Sequence, residues 1–289
     1  MPELPEVETT ILYLEKRILG LKIVNTWLDA PKLIKKPSVS CFQKEIKQRK
    51  IKNILRLGKN IIFELDNDRA ILIHQKMTGH LLLGKWIKKK KEWKAIKKGF
   101  LADPMNRFLH LIFFLNNGQM LALSDLRKFA KVVFGKKEEI FSLKEIQNLG
   151  PDILVIRFSE FKKRIFRKKE SKIKQVLMNQ EVVSGIGNIY SDEILFASKV
   201  NPFKKVKDLS EKEVQNILKN SKNILKLAIE LKGASISDYR IPSGQKGNFE
   251  KVSKVYRKKG QKCPFCKEKI VREKIGNRSA HFCPTCQFL

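Results

Sequence analysis

The chain reads as an α+β protein of more than one domain. A helix leads into an antiparallel β domain, a helical domain follows, and a small cysteine-bearing hairpin closes the chain. Three observations predict this. Residues 21 to 134 break into short β-rich runs separated by turn residues. Beyond residue 152 the apolar spacing changes to that of helices. Cysteines cluster near the end as Cys263-Pro-Phe-Cys266 and Cys283-Pro-Thr-Cys286.

At 289 residues the chain is long for a single core, so two domains and a small appendage are expected. Hydrophobic content of 42% is ordinary for a globular protein. No apolar run reaches the ~18 residues that a membrane helix needs. The N-terminus lacks a basic-then-apolar leader, which predicts an intracellular protein. Lys and Arg number 61 against 29 Asp and Glu, a net charge of +32. Such a surplus points first to a polyanion, most often nucleic acid, although a lysine-rich proteome would account for part of it.

Taken in order, the chain opens Met1-Pro2-Glu3-Leu4-Pro5-Glu6. An initiator methionine is normally removed before a small residue, which would leave the secondary amine of Pro2 beside the carboxylate of Glu3. An α-amino group titrates at about 7.7–8.0, so part of it is an unprotonated nucleophile at neutral pH. Attack on a sugar carbon would form an iminium. Pro5 and Glu6 suit a first helical turn, and a helix over 5–19 follows, with Val7, Ile11, Leu14, Ile18 and Leu19 on one face and Gly20 ending it. Strands are expected at 21–28, 51–57, 60–65, 70–75, 80–87, 107–116, 119–124 and 129–134, forming a sandwich or barrel. Asn116-Asn117-Gly118 is a hairpin turn. Lys88 to Lys98 reads as a solvated basic loop, with phosphate contact as the alternative. Residues 136–152 form a connection containing a short helix opened by Ser142 and Glu145 and stopped at Gly150-Pro151.

Helices are then expected at 159–167, 171–178, 188–198 and 211–232, the last opened by a Ser210–Glu213 capping box and closed by Gly233. Residues 234–250 read as a mobile loop grouped with the helical domain. The two Cys-x-x-Cys pairs have the spacing of a zinc ribbon, predicting one structural Zn²⁺ on Cys263, Cys266, Cys283 and Cys286. Cys41 reads as a small buried apolar residue. Around Gly185-x-Gly187 two short helices form a helix–turn–helix-like hairpin, whose freed amides and Asn188 suit a phosphate. Gly276-Asn277-Arg278 falls at the tip of the cysteine hairpin, where Arg278 is a candidate phosphate contact. Lys59, in Leu57-Gly58-Lys59 at the mouth of a strand, is a further candidate.

Eight segments in order carry a resemblance along essentially the whole chain: MPELPEVET at the start, LGK around Lys59, HQKMTG around Met77, DLRKFA at 125–130, LGPD at 149–152, NQEVVSGIGNIYSDEILF at 179–196, SDYR at 237–240, and GNRSAHFCPTCQ at the end. The sequence resembles the formamidopyrimidine-DNA glycosylase family. That resemblance implies an N-terminal helix with a β-sandwich over 1–135, a linker over 136–152, a helix-two-turn-helix domain over 153–250 with a lesion lid at 234–250, and a zinc finger over 251–289. It implies a bifunctional glycosylase and abasic-site lyase for oxidised purines, with no redox cofactor or catalytic metal. Pro2 is the implied nucleophile at C1′, Glu3 the proton shuttle and Glu6 a supporting carboxylate. Lys59, implied to contact the lesion and its flanking phosphate, and Arg278 complete the implied catalytic set, and Arg278 and Asn188 are the further implied phosphate clamps. Met77, Arg127 and Phe129 are implied to fill the gap left by an extruded base, and His110 joins the implied DNA contacts.

The expected partner is double-stranded DNA containing an oxidised purine or abasic site, met by a monomer in the cytoplasm at the nucleoid. Competing readings are an endonuclease VIII-type enzyme for oxidised pyrimidines and a non-catalytic zinc-ribbon DNA-binding protein. Leu4 favours the purine branch, and intact Pro2, Glu3 and Lys59 favour an enzyme. Asn179, Ala130 and Ala280 depart from the family's usual Asp, Gly and Thr or Ser, and the basic run at 88–98 is longer than usual.

Overall fold

The computed structural model describes every residue except Lys91 and Ser237. These two fall in the basic run at 88–98 and in the SDYR segment, and that part of each expectation lies outside the described residues. The chain divides into two compact units, residues 1–147 with 231–250, and 148–230 with 251–289. No helix among the described residues is long and apolar enough to cross a membrane.

In the first unit, helix α1 (Leu4–Ile18) starts on a Pro-containing turn with Glu6 near its positive end and finishes with Lys16 and Arg17 near its negative end. Val7, Ile11, Leu14 and Ile18 are buried along one stripe. Burying each such side chain contributes about 1.5–3 kcal/mol. The strands are β1 (Lys22–Leu28), β2 (Ile34–Lys36), β3 (Arg49–Leu57), β4 (Asn60–Leu65), β5 (Arg69–His74), β6 (His80–Gly84), β7 (Trp86–Lys89), β8 (Glu92–Ala95), β9 (Leu109–Leu115), β10 (Met120–Ser124) and β11 (Lys131–Lys136). Nine form one sheet in the order β2-β11-β5-β4-β3-β1-β9-β10-β6, antiparallel except between β2 and β11.

Alternation along the strands makes this sheet a β-sandwich. Ile61 and Phe63 of β4 share one core with Leu81 and Leu83 of β6 and with the buried face of α1. The intervening Ile62 packs with Leu72 and Ile140, and Leu82 packs with Ile112 and Trp86, on two separate outer layers. Two short helices, α3 (Lys137–Phe141) and α4 (Lys144–Gln147), follow β11.

Besides Leu19, which is exposed past the end of α1, and Cys41, which is half-buried with its thiol donating to Glu45 at 3.0 Å, four features differ from the sequence reading. Strands β7 and β8 pair with each other as a hairpin where a loop was expected. Its pattern was obscured by lysines, while Trp86 is buried and Trp93 packs edge-on against Trp27 at 5.4 Å. Strand β2 and helix α2 (Val39–Glu45) were not expected. The Ser142–Glu145 cap is replaced: the Ser142 hydroxyl donates to the Glu139 carbonyl, and Glu145 pairs with Lys131 at 2.6 Å. Residues 231–250 group with the first unit and not with the helical domain. The reason is a set of distant hydrogen bonds, described below, that no local pattern announces.

The second unit contains α5 (Phe158–Phe166), α6 (Ile173–Met178), α7 (Asn188–Ala197) and α8 (Glu211–Glu230). Helix α8 opens on the expected box, with the Ser210 amide donating to Glu213 at 2.7 Å and the Glu213 amide to Ser210 Oγ at 3.2 Å. Strands β12 (Val271–Ile275) and β13 (Arg278–Phe282) form the terminal hairpin, with Gly276 at φ +57° in its turn. Phe196 of α7 packs with Val255, Cys263 and Cys283, joining the helical layer to the cysteine cluster.

Candidate active site and nucleic-acid interface

The first unit buries its own N-terminal segment. Pro2 is buried, and Glu3, Glu6 and Lys59 are 2%, 1% and 6% exposed. With Met1 in place, burial lowers its terminal amine below the ordinary value; Glu3, Glu6 and Asp238 oppose this, and Lys59 adds to it. These groups therefore form one cluster around the amine. Glu6 is its keystone. One carboxylate oxygen accepts the Glu3 amide at 2.8 Å, and the other accepts the Ala234 amide at 2.8 Å.

The Tyr239 hydroxyl donates to the Glu6 carbonyl at 3.0 Å, and burial pushes that hydroxyl well above its ordinary value, so it remains a donor. Gly233, at φ +77°, lies where a Cβ would come within 2.7 Å of the Glu6 carboxylate. Farther along, Arg240 pairs with Asp103 at 3.3 Å, and the Leu83 amide donates to the Pro242 carbonyl at 2.8 Å. The segment 234–242 is thereby tied beside the N-terminal turn and to the β6 edge.

Lys59 follows Gly58 in the β3–β4 turn, where Gly58 takes φ +59°. Lys59, Lys76 and Lys131 all act on the nearby His74, and Lys131 also pairs with Glu145 at 2.6 Å. Burial first, then these three cations, hold the His74 imidazole down to about 3. It stays neutral, and its Nδ1 accepts the Lys76 amide at 2.9 Å. A cationic corner with a neutral histidine suits a phosphate.

A second group on this unit presents Met77, Arg127 and Phe129 outward. Met77 is 38% and Phe129 48% exposed, so neither is a core residue. The buried Asp125 organises them. It accepts the Thr78 hydroxyl, and its oxygens accept the Arg127 amide at 3.3 Å and the Ala130 amide at 2.7 Å. Thr78 Oγ also accepts the Arg127 amide at 3.1 Å, fixing Met77 beside the 125–130 loop. The Arg127 guanidinium lies 4.5 Å from the Phe129 ring centroid. The left-handed residue of this loop is Lys128, at φ +55°, so Ala130 carries no strain in place of glycine. Thr78 and Asp125 were not singled out in the sequence, where they look like ordinary turn residues.

His110 is buried in β9, not exposed with that group. Its Nδ1 lies 2.7 Å from Asp29 Oδ1, and its Nε2 has no hydrogen-bond partner.

In the second unit, Asn188 begins α7 behind Gly187, and its side-chain oxygen has no hydrogen-bond partner. Arg278 begins β13 and is exposed. Both line one cleft of about 570 Å³ with Lys259, Arg272, Lys274 and Asn277, a basic pocket at a helix N-terminus. Beneath it lies a network that the sequence did not reveal. Lys174, fully buried, pairs with Asp192 Oδ1 at 2.5 Å, and Asp192 Oδ2 accepts both the His281 amide at 3.0 Å and the ring Nδ1 at 2.9 Å. Lys174 also donates to the Asn188 carbonyl at 3.4 Å. Glu193 accepts the amides of Lys254, Val255 and Tyr256 at 2.7–2.9 Å. The start of α7 and the hairpin bearing Arg278 are thus fixed relative to one another.

The Asn179 side chain caps the turn as an aspartate would, accepting the Glu181 amide at 2.9 Å, and Ala280 is fully buried in the hairpin core. Neither departure disturbs its surroundings.

The four cysteine sulfurs Cys263, Cys266, Cys283 and Cys286 lie within 4.8 Å of one another. The pairs Cys263–Cys286 and Cys266–Cys283 are 3.8 and 3.3 Å apart. A tetrahedral zinc–thiolate site has sulfur–sulfur edges of about 3.8 Å, so the donor set fits Zn²⁺. The Glu268 amide, with neighbouring thiols, draws the Cys266 thiol down to about 7, while burial pushes the Cys283 and Cys286 thiols up. Four thiolates fill the coordination sphere, which makes this zinc structural.

Residues 1–132, 149–240 and 260–287 match family models described as formamidopyrimidine-DNA glycosylase N-terminal domain, formamidopyrimidine-DNA glycosylase H2TH domain, and zinc finger found in FPG and IleRS. The chain is 34% identical over 290 residues to a formamidopyrimidine-DNA glycosylase of Pelotomaculum thermopropionicum, covering 99% of each. It is 38% identical over 291 residues to one from Mycoplasma mobile, covering 100% of each. Among solved structures it is similar to Lactococcus lactis Fpg in complex with abasic-site DNA, at a TM-score of 0.86 and 32% identity over 100% of both chains. A point mutant of Lactococcus lactis Fpg bound to Fapy-dG DNA gives the same TM-score at 31% identity over 100% of both chains.

Proposed function

The chain belongs to the formamidopyrimidine-DNA glycosylase family of DNA repair enzymes, and from that premise we propose that it is a bifunctional glycosylase and abasic-site lyase for oxidised purines such as 8-oxoguanine and formamidopyrimidines. The observation that carries this reading is the buried N-terminal turn, in which Pro2 lies among the buried carboxylates of Glu3 and Glu6 in the same unit as the buried Lys59.

Once the preceding methionine is removed, the Pro2 imino nitrogen is the nucleophile. Its lone pair bonds to C1′ of the damaged nucleotide, and the base departs with a proton relayed by Glu3. The ring-opened sugar is then held as an iminium to Pro2. That cation acidifies the C2′ proton, and its removal expels the 3′ phosphate in β-elimination. A second elimination expels the 5′ phosphate. Lys59 and Arg278 bind the phosphates flanking the lesion and neutralise charge on the departing oxygens. Asn188 and the start of α7 hold a further phosphate.

Met77, Arg127 and Phe129 enter the stack from the first unit. The ring wedges between bases, the thioether fills the gap, and the guanidinium donates to the orphaned cytosine. The lid at 234–250, anchored through Glu6 and Asp103, covers the extruded base. Zinc serves folding of the Arg278 hairpin alone.

The experiment is reductive trapping with borohydride on a duplex containing 8-oxoguanine opposite cytosine. The expected result is a covalent protein–DNA adduct that is lost in Pro2→Gly. Trapping only on oxidised pyrimidines would move the substrate class, and no adduct on any damaged or abasic duplex would falsify the lyase mechanism.

A further inference from the structure

Eight of the fourteen residues from Lys85 to Lys98 are lysine and one, Glu92, is acidic. The repair chemistry above uses none of them. Among its described residues, most belong to two paired strands. Strands β7 and β8 pair from Trp86–Ala95 to Lys89–Glu92, and Trp86 and Trp93 root them in the outer layer beside Trp27 and Phe114. Lys88, Lys89, Lys90 and Lys94 are all exposed on this hairpin, with Lys97 and Lys98 exposed just after it. Among the described ones, only Lys94 reaches a carboxylate, Glu92, and at 3.9 Å. An exposed pair at that distance contributes little. So dense a set of unneutralised cations on paired strands opposes itself unless an anion is present.

The ribbon's position supplies the anion. Glu92 and Trp93 share a cleft of about 490 Å³ with Arg107, Phe108 and His110. His110 Nε2, in a side chain more than nine-tenths buried, is left without a partner there. Across that cleft, the Phe108 carbonyl accepts the amide of Asp125 at 2.9 Å, the residue that supports the Arg127–Phe129 loop. The cleft thus links the hairpin, through Phe108, to the segment that begins the wedge loop.

We infer that the β7–β8 hairpin is an additional DNA-binding element, which follows the phosphate backbone of the duplex flanking the lesion outward from the wedge loop. This rests on the DNA-directed reading above and deepens it. Lys89, Lys90 and Lys94 supply the phosphate contacts, and the tryptophans hold the ribbon. A four-residue strand spans about 13 Å, matching about four base pairs of flanking helix. Contacts of this kind carry no base specificity.

The test compares the wild-type protein with the triple variant Lys89→Gln, Lys90→Gln, Lys94→Gln, all on exposed positions. Binding to abasic-analogue duplexes is measured against salt. One duplex has about ten base pairs on both sides of the lesion, and two others are cut to about one on one side or the other, which removes the phosphates that the hairpin would follow. The expected result is a salt slope lower by about 2–3 for the variant on the long duplex, since each phosphate contact contributes about 0.9. Affinity at 0.15 M salt should fall about tenfold or more, and the loss should vanish on one of the two shortened duplexes. Turnover at saturating substrate stays unchanged, which separates this result from failure of the catalytic reading. Equal binding by both proteins, or an equal loss on all three duplexes, would overturn the inference. So would unchanged duplex binding accompanied by lost binding to single-stranded RNA or to anionic vesicles.

Discussion

The two carboxylate oxygens of Glu6 accept the amides of Glu3 and Ala234, each at 2.8 Å, so one side chain joins the N-terminal turn to a segment more than two hundred residues away. Both oxygens are used as acceptors from N–H donors. In Glu6→Gln the amide nitrogen would replace one of them and face a donor with a donor. Leaving a buried group unsatisfied costs about 1–3 kcal/mol. The melting temperature should fall by several degrees, and excision of a lesion base should slow more than cleavage at a ready-made abasic site, which needs no lid. Unchanged melting and unchanged excision would contradict this reading of Glu6.

Phe129 tests the opposite case. Its ring is 48% exposed, and truncating an exposed side chain away from special features changes stability by about 0.5 kcal/mol or less. Phe129→Ala should therefore melt like the parent protein while losing about tenfold or more in excision from duplex DNA. A ring that only packed would give a lower melting temperature with intact excision.

Lys174 and Asp192 are both fully shielded, and breaking such a pair by removing one partner costs about 3–5 kcal/mol. Lys174→Met should lower the stability of the second unit against denaturant by that amount and weaken DNA binding through displacement of Asn188 and Arg278. The double change Lys174→Met with Asp192→Asn should recover part of the stability, because no lone buried charge remains. Stability equal to wild type in the single variant would refute the network's role.

Chelation should release one zinc per chain. In Cys283→Ser, or after chelation, the terminal hairpin loses its staple and binding to an abasic-analogue duplex should fall at least a hundredfold. The core containing Phe63 and Leu81 is built only from residues of the first unit and should keep its own melting transition. Full affinity without metal would contradict the placement of Arg278 on a metal-stapled hairpin.

What the sequence disclosed follows from which interactions are local. The β-sandwich was legible because Ile61-Ile62-Phe63 and Leu81-Leu82-Leu83 sit in continuous apolar runs between turn residues, and α1 because its apolar spacing is helical. The cysteine spacing announced the metal site by itself. The return of 231–250 to the first unit was hidden, since Ala234 reaches Glu6 across 228 positions and Arg240 reaches Asp103 across 137. Hairpin β7–β8 was masked by its lysines, although Trp86 and Trp93 mark its buried face. Lys174 and Glu193 look like ordinary surface charges until burial and their partners are seen. Met77 and Phe129 were implied to meet DNA by resemblance alone; the Thr78–Asp125 clamp that holds them lies within the same two segments, HQKMTG and DLRKFA, but showed only once both were seen buried together.

The central claim is that the Pro2 nitrogen, freed by methionine removal, becomes bonded to deoxyribose. The most direct measurement is mass mapping of the borohydride-trapped adduct, made in parallel from protein with a processed N-terminus and from protein retaining Met1. The account predicts a sugar-modified N-terminal peptide with the modification on Pro2, and none in the Met1-retaining form. Modification of Lys59 or any other lysine with Pro2 free would contradict it.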